Sequence, residues 1–207
     1  MPRLQPKHLL FALLALMTLF VLWNNERFLL DPNAAVWPHY DPIRLHLVPH
    51  GIGGALALFI GAAQFSSRLR GKHVRVHRFL GKVYIISNFV LASVAILMAL
   101  KISPWFMTVF TIVQAGALMA FTAAAYRSIR QKNVAQHREW MMRSYAVLLL
   151  FLEGRVLMAI PAIGQRGMDS VVLVNWGCLV VSLVAVEFIL RWRDLFPERA
   201  KADRIAT

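Results

Sequence analysis

Two histidines one helical turn apart, His73 and His77, sit in the densest cationic stretch of the chain, Arg68 to Tyr84 (RLRGKHVRVHRFLGKVY). A second stretch, His137 to Tyr145 (HREWMMRSY), repeats the pattern: a His-Arg pair, a further cation, then a tyrosine entering an apolar run. A neutral imidazole nitrogen is the commonest protein ligand for a transition metal or haem iron, provided another group holds its second nitrogen. His77 and His137 each open an apolar segment, so a helical bundle could bring them to one depth as axial ligands of a haem b. Arg78, Lys82, Arg138 and Arg143 are close in sequence and could neutralise haem propionates. A plainer reading stands beside this one. Interfacial His and Arg commonly anchor helix ends and meet lipid phosphates.

A second group of histidines, His39, His46 and His50, gathers before and inside the next apolar run. His46 and His50 are four residues apart, but Pro49 is expected to start a helix after His46 and spoil their common face. A zinc or di-metal centre needs three or four converging ligands. His39, Asp41, His46, His50 and Glu153 are the candidates, no HExxH is present, and no metal site can be assigned. Glu153 and Arg155 lie inside an apolar run, where charge is costly unless it faces the bundle interior or a partner. Two residues apart on a helix, they point in different directions. Arg155 is expected to meet a carboxylate or ligand, and Glu153 to meet His50 or Arg44. Such groups either fix helix register or serve a proton, a quinone headgroup or an anionic ligand. The single cysteine, Cys178, excludes an intrachain disulfide and a CxxC redox motif. No nucleophile elbow or triad spacing exists, so no catalytic residue can be named.

The elements that must position these groups are membrane spans. The 207 residues are 58% hydrophobic with a mean hydropathy of +0.57, against about 45–50% apolar residues in soluble domains. Crossing a bilayer takes about 20 apolar residues. Six segments meet that requirement, at residues 8–30, 45–65, 82–100, 104–126, 140–163 and 171–190, followed by a charged tail over 191–207. The first has no small-residue cleavage site before Asn24 to Arg27, so it is expected to be a retained span. Gly53, Ala57 and Gly61 give the second span one smooth face for a neighbouring helix. The expected fold is therefore an all-α integral membrane protein: one domain, residues 1–207, built as a six-transmembrane-helix bundle.

Charge sets the orientation. Eighteen of the 23 Lys and Arg fall before the first span, in the two basic connectors, or in the tail. By the positive-inside rule both termini and both connectors face the cytoplasm of a bacterial inner membrane. The net charge of +13 is thus a topology signal, and a nucleic-acid partner is not expected.

His50 with Gly53, Gly54 and Gly61-x-x-Gln64-Phe65, then His77-Arg78-x-x-Gly81-x-x-Tyr84, then His137-x-x-Trp140-Met141-x-Arg143-Ser144-Tyr145 together resemble a family of bacterial polytopic membrane proteins, domain of unknown function 2306. The resemblance covers roughly residues 46–158. It implies a helical membrane protein, points to His50, His77, His137 and Arg143, and supplies no activity. A looser likeness is to transmembrane haem b cytochromes, which hold haem between histidines of a four-helix core. The fourth span here has no histidine, so that likeness implies one haem at most.

Three functional expectations follow. The first is a haem- or metal-linked redox protein using His77 and His137 and exchanging electrons with quinone. The second is a transporter or channel for a small solute or proton, lined by Glu153, Arg155 and His50. The third is a non-catalytic accessory subunit of a membrane complex, whose polar residues serve packing.

Overall fold

The computed structural model describes residues 6–31 and 33–195, with the side chains of residues 6–10 and 193–195 outside that description. Arg3 and the tail beyond Leu195, counted above in the charge asymmetry, lie outside the described residues. Those described are helical throughout, with turns between and no strand among them. In order they are α1 (Pro6–Val21), α2 (Trp37–Tyr40), α3 (Arg44–Gln64), α4 (Ser67–Lys72), α5 (Val74–Ile102), α6 (Trp105–Arg130), α7 (Val134–Met158), α8 (Pro161–Gly164) and α9 (Met168–Leu195). Helix α1 continues through a wider π turn (Leu22–Glu26) and a tight 3₁₀ turn (Arg27–Leu30).

Five helical segments are long and apolar enough to cross a membrane: Phe11–Leu30, Trp37–Gln64, Val74–Ile102, Trp105–Arg130 and Met168–Trp192. Helix α7, the expected fifth span, is not among them. It has 25 residues, but charged residues at both ends put three or more into every stretch of 18. Yet α7 is the helix the others surround. It packs on α6 and α9 and also touches α1 and α3. Val147, Leu150 and Leu152 are almost wholly enclosed. Its polar ends and buried middle are the composition of a helix at the centre of a bundle.

Helix α3 shows how small residues set the packing. Gly53, Ala57 and Gly61 are buried, while Ile52, Leu56 and Phe59 on the other side are exposed. A methyl group at Gly53 would lie 3.3 Å from the Ser87 carbonyl oxygen of α5, so the two backbones are in contact. Apolar groups outward and small or polar groups inward is the arrangement that lipid favours.

Three boundaries differ from the sequence expectation. The basic stretch 68–82 is helical, forming α4 and the first turns of α5, because its cations project outward along helix that continues the span below. Helix α3 starts at Arg44 and runs through Pro49. Proline in the second turn forgoes a bond to the Leu45 carbonyl but does not end the helix. His46 and His50 therefore share one continuous helix after all. Helix α6 begins at Trp105, one residue after the expected start, with Pro104 as the flanking residue. Between α6 and α7 the chain reverses at Lys132, whose φ of 60° is left-handed, and Asn133 Oδ1 accepts from the Gln136 amide at 3.0 Å to start α7.

Candidate functional site: three polar levels inside the bundle

At the end of the bundle that carries the basic connectors, His137 opens α7. Its Nδ1 lies 2.9 Å from the Ala125 carbonyl oxygen of α6. A carbonyl can only accept, so the proton is on Nδ1 and Nε2 keeps its lone pair. His77, at the start of α5, is within electrostatic reach of His137, Arg70 and Arg78. Its Nδ1 is enclosed and has no hydrogen-bond partner. Arg70 donates from Nη1 to the Gln64 carbonyl at 3.2 Å, closing the C-terminal end of α3. His77 and His137 thus sit at the same end of the bundle, within electrostatic reach of each other, and α6 supplies the carbonyl that orients His137. His73 is exposed and stands apart.

Arg143 does not join that pair. Its Nε and Nη2 donate to the two oxygens of Glu187 on α9, at 2.5 and 3.2 Å, and Nη1 reaches Glu139 at 3.4 Å. The guanidinium also lies over the Trp140 ring, 4.6 Å from its centroid. These groups line a groove of about 580 Å³ between α6, α7 and α9, walled by Phe121 and Trp140. Glu187, exposed on the wall of this groove, is the main partner of Arg143.

One level deeper, four side chains with no exposed surface converge from three helices: Tyr84 and Asn88 of α5, Thr122 of α6 and Ser144 of α7. The Tyr84 hydroxyl is 2.9 Å from Ser144 Oγ, which is 2.8 Å from Thr122 Oγ1. Asn88 Nδ2 donates to Thr122 Oγ1 at 3.0 Å and, more weakly, to Ser144 Oγ at 3.5 Å. Next to them the Tyr145 hydroxyl donates to the Leu58 carbonyl of α3 at 3.1 Å. Asn88 Oδ1 and Gln64 Nε2 stay buried without partners. The motifs quoted above contain Tyr84 and Ser144 without giving them a role, and they leave out Asn88 and Thr122. The available signal was the i, i+4 spacing of Tyr84 and Asn88 on the face of α5 that also carries His77.

The third level is at the opposite end. Arg155 pairs with Glu26 beyond α1 at 3.7 Å, which meets the expectation of a carboxylate. His50 is near enough to Arg155 to feel its charge, and the Nδ1 atoms of His46 and His50 have no partner. Glu153 departs from its expected partners. It accepts a hydrogen bond from Ser182 of α9 at 2.6 Å, while Arg44 pairs with Asp41 at 4.0 Å. Among the described residues no group of three or more His, Cys, Asp or Glu could hold a metal ion. The idea of a ligand cluster around His46 and His50 therefore has no geometric basis among them.

A family model described as predicted membrane protein (DUF2306) matches residues 47–190. The chain belongs to that family. Its matched part runs from within α3 into α9 and holds His50, His77 and His137, the four-residue hub and Arg143. Within this DUF2306 member, α1 and its Glu26 lie before the matched part and still pair with it through Arg155. No curated protein and no solved structure matches the chain.

Proposed function

We propose that this DUF2306 protein is a haem- or metal-linked redox protein of the bacterial inner membrane, in which His77 and His137 supply the two axial nitrogens of a haem b. The observation that carries the reading is the pinned ring of His137. Its Nδ1–H is held by the Ala125 carbonyl, which leaves Nε2 as a lone-pair donor within electrostatic reach of His77. A haem iron takes two axial ligands from protein, whereas a closed zinc site takes four. No group of three or more His, Cys, Asp or Glu occurs among the described residues, so a site of two ligands is the one considered. Bound there, a haem supplies one-electron transfer. Arg70 and Arg78 surround His77 with positive charge suited to propionates.

Electrons would exchange with a quinone, and the groove beside Phe121, Trp140 and Arg143 suits its headgroup. That groove lies on α7 within about one turn of His137. A six-span topology with α7 as the fifth span and both termini cytoplasmic belongs to the same proposal. Its support is that the basic connectors share one end of the bundle.

A visible spectrum of the detergent-purified protein tests this. A Soret band that is lost in His77→Ala and His137→Ala and kept in His50→Ala is the expected result. Protein that stays colourless after growth with added haem precursor removes the reading.

A proton or small-solute path is favoured by one separate observation. Of the seven buried side-chain polar atoms without partners among the described residues, five belong to α3 and α5: His46 Nδ1, His50 Nδ1, Gln64 Nε2, His77 Nδ1 and Asn88 Oδ1. Orphaned atoms of this kind call for water or a polar guest. Such a path uses His50 but not Glu153, which faces α9. Proton flux into liposomes that is unchanged in Asn88→Leu would remove it.

A further inference from the structure

Glu153 is a carboxyl within the helical bundle that neither reading employs. It lines a cavity of about 390 Å³ between α1, α7 and α9, whose other walls are apolar: Met17, Val156, Val174, Gly177 and Val181 among them. That volume is in the range of small-molecule sites, about 300–1,000 Å³. Ser182 donates to Glu153 Oε2 at 2.6 Å and fixes the carboxyl group against α9. Oε1 has no hydrogen bond among the described residues, and Glu153 is in no ion pair there. Arg155, the nearest cation in sequence, turns instead to Glu26 and the Phe151 ring. A carboxyl group with a free oxygen in an apolar membrane cavity ionises only beside a counter-charge, which here has to be a cation able to enter from lipid.

We propose that this cavity binds amphiphilic organic cations, a quaternary ammonium or phosphonium centre with apolar substituents, through the carboxylate of Glu153. The apolar walls take the substituents and the carboxylate takes the charge. A hydrated metal ion is a poor fit, because one carboxylate and apolar walls cannot replace its water shell. Neutral lipophiles fill the walls but leave the charge uncompensated.

Tetraphenylphosphonium is the probe. The full chain in detergent should bind it saturably, and neutral triphenylphosphine oxide should not displace it. Glu153→Gln keeps the size and the bond to Ser182 and should weaken binding about tenfold or more. Gly177→Phe leaves the carboxylate in place and fills the cavity. A side chain there meets nothing within 4 Å at its first carbon, so the variant, checked for folding by its melting curve beside the wild type, should lose the site. Wild-type affinity in both variants would overturn the proposal, as would no saturable binding by the wild type. Displacement by the neutral oxide as effective as by the phosphonium would also overturn it. His77→Ala binds the phosphonium normally, which separates this site from the haem reading.

Discussion

The hydroxyls of Tyr84 and Ser144 meet at 2.9 Å across 60 residues of chain, and neither side chain is exposed. Ser144 Oγ also contacts Thr122 and Asn88, so one small side chain on the central helix ties α7 to both α5 and α6. Removing it leaves polar partners buried without a replacement, which costs about 1–3 kcal/mol. Ser144→Ala should lower the unfolding midpoint in detergent accordingly. Adding Tyr84→Phe should cost less than the two single changes summed, since the first change has already broken their bond. Strict additivity in a double-mutant cycle would show that the hydroxyls do not interact.

Gly61 predicts the opposite kind of damage. A methyl group there would lie 2.6 Å from the Tyr145 ring and 2.8 Å from the Tyr84 ring. Both rings are tied by their hydroxyls and cannot retreat. Gly61→Ala should destabilise by about 1–3 kcal/mol, as overpacking does. Gly116→Ala meets nothing within 4 Å and should be neutral or slightly stabilising through helix propensity. The two glycines have the same sequence context, an apolar helix, and only their neighbours separate them. Thermal melting of the two variants side by side checks this.

Hydropathy made most of the membrane helices legible, because lipid demands long apolar runs whatever the fold. It failed on α7 for a physical reason. A window average cannot distinguish a charge facing lipid from one facing a partner, and α7 sends its charges to Glu187, Glu26 and Ser182. That His77 and His137 share the basic end was readable because both residues open helices there. The Ala125 carbonyl that orients His137 was not, since a backbone oxygen carries no sequence signal. Thr122 was equally invisible, one hydroxyl among many in an apolar helix. Pro49 misled in the other direction. Its ring forbids one hydrogen bond, and a helix that has already begun tolerates that loss.

The fork between Arg143 and Glu187 should contribute little to stability despite its geometry. The Glu187 side chain is 47% exposed, and ion pairs so open to solvent are worth about 0.2–1 kcal/mol. Glu187→Gln should therefore shift the melting temperature only slightly, and less at high salt. Exchanging the charges, Arg143→Glu with Glu187→Arg, should not restore the wild type. A carboxylate at position 143 would face Glu139 and lose the stacking on Trp140. Full recovery in the swapped variant would mean that the pair acts alone, without the ring or the neighbouring acid.

Compartment labelling decides the orientation on which the cytoplasmic placement of His77 and His137 rests. Cys178 is the only cysteine, so a Cys178→Ala background is free of thiols. Gly71, between Arg70 and Lys72 in α4, is exposed and a side chain there meets nothing within 4 Å. Gln131 is exposed in the turn that leads to α7, and Arg166 is exposed in the turn between α8 and α9. An impermeant maleimide added to intact cells should modify Arg166→Cys and spare Gly71→Cys and Gln131→Cys until the membrane is opened. The reverse pattern would invert the protein and leave its helix count intact. Labelling that separates Gly71 from Gln131 would mean that α5 and α6 do not form a simple out-and-back pair. It would also part His77 from His137, and no shared ligand could then be held between them.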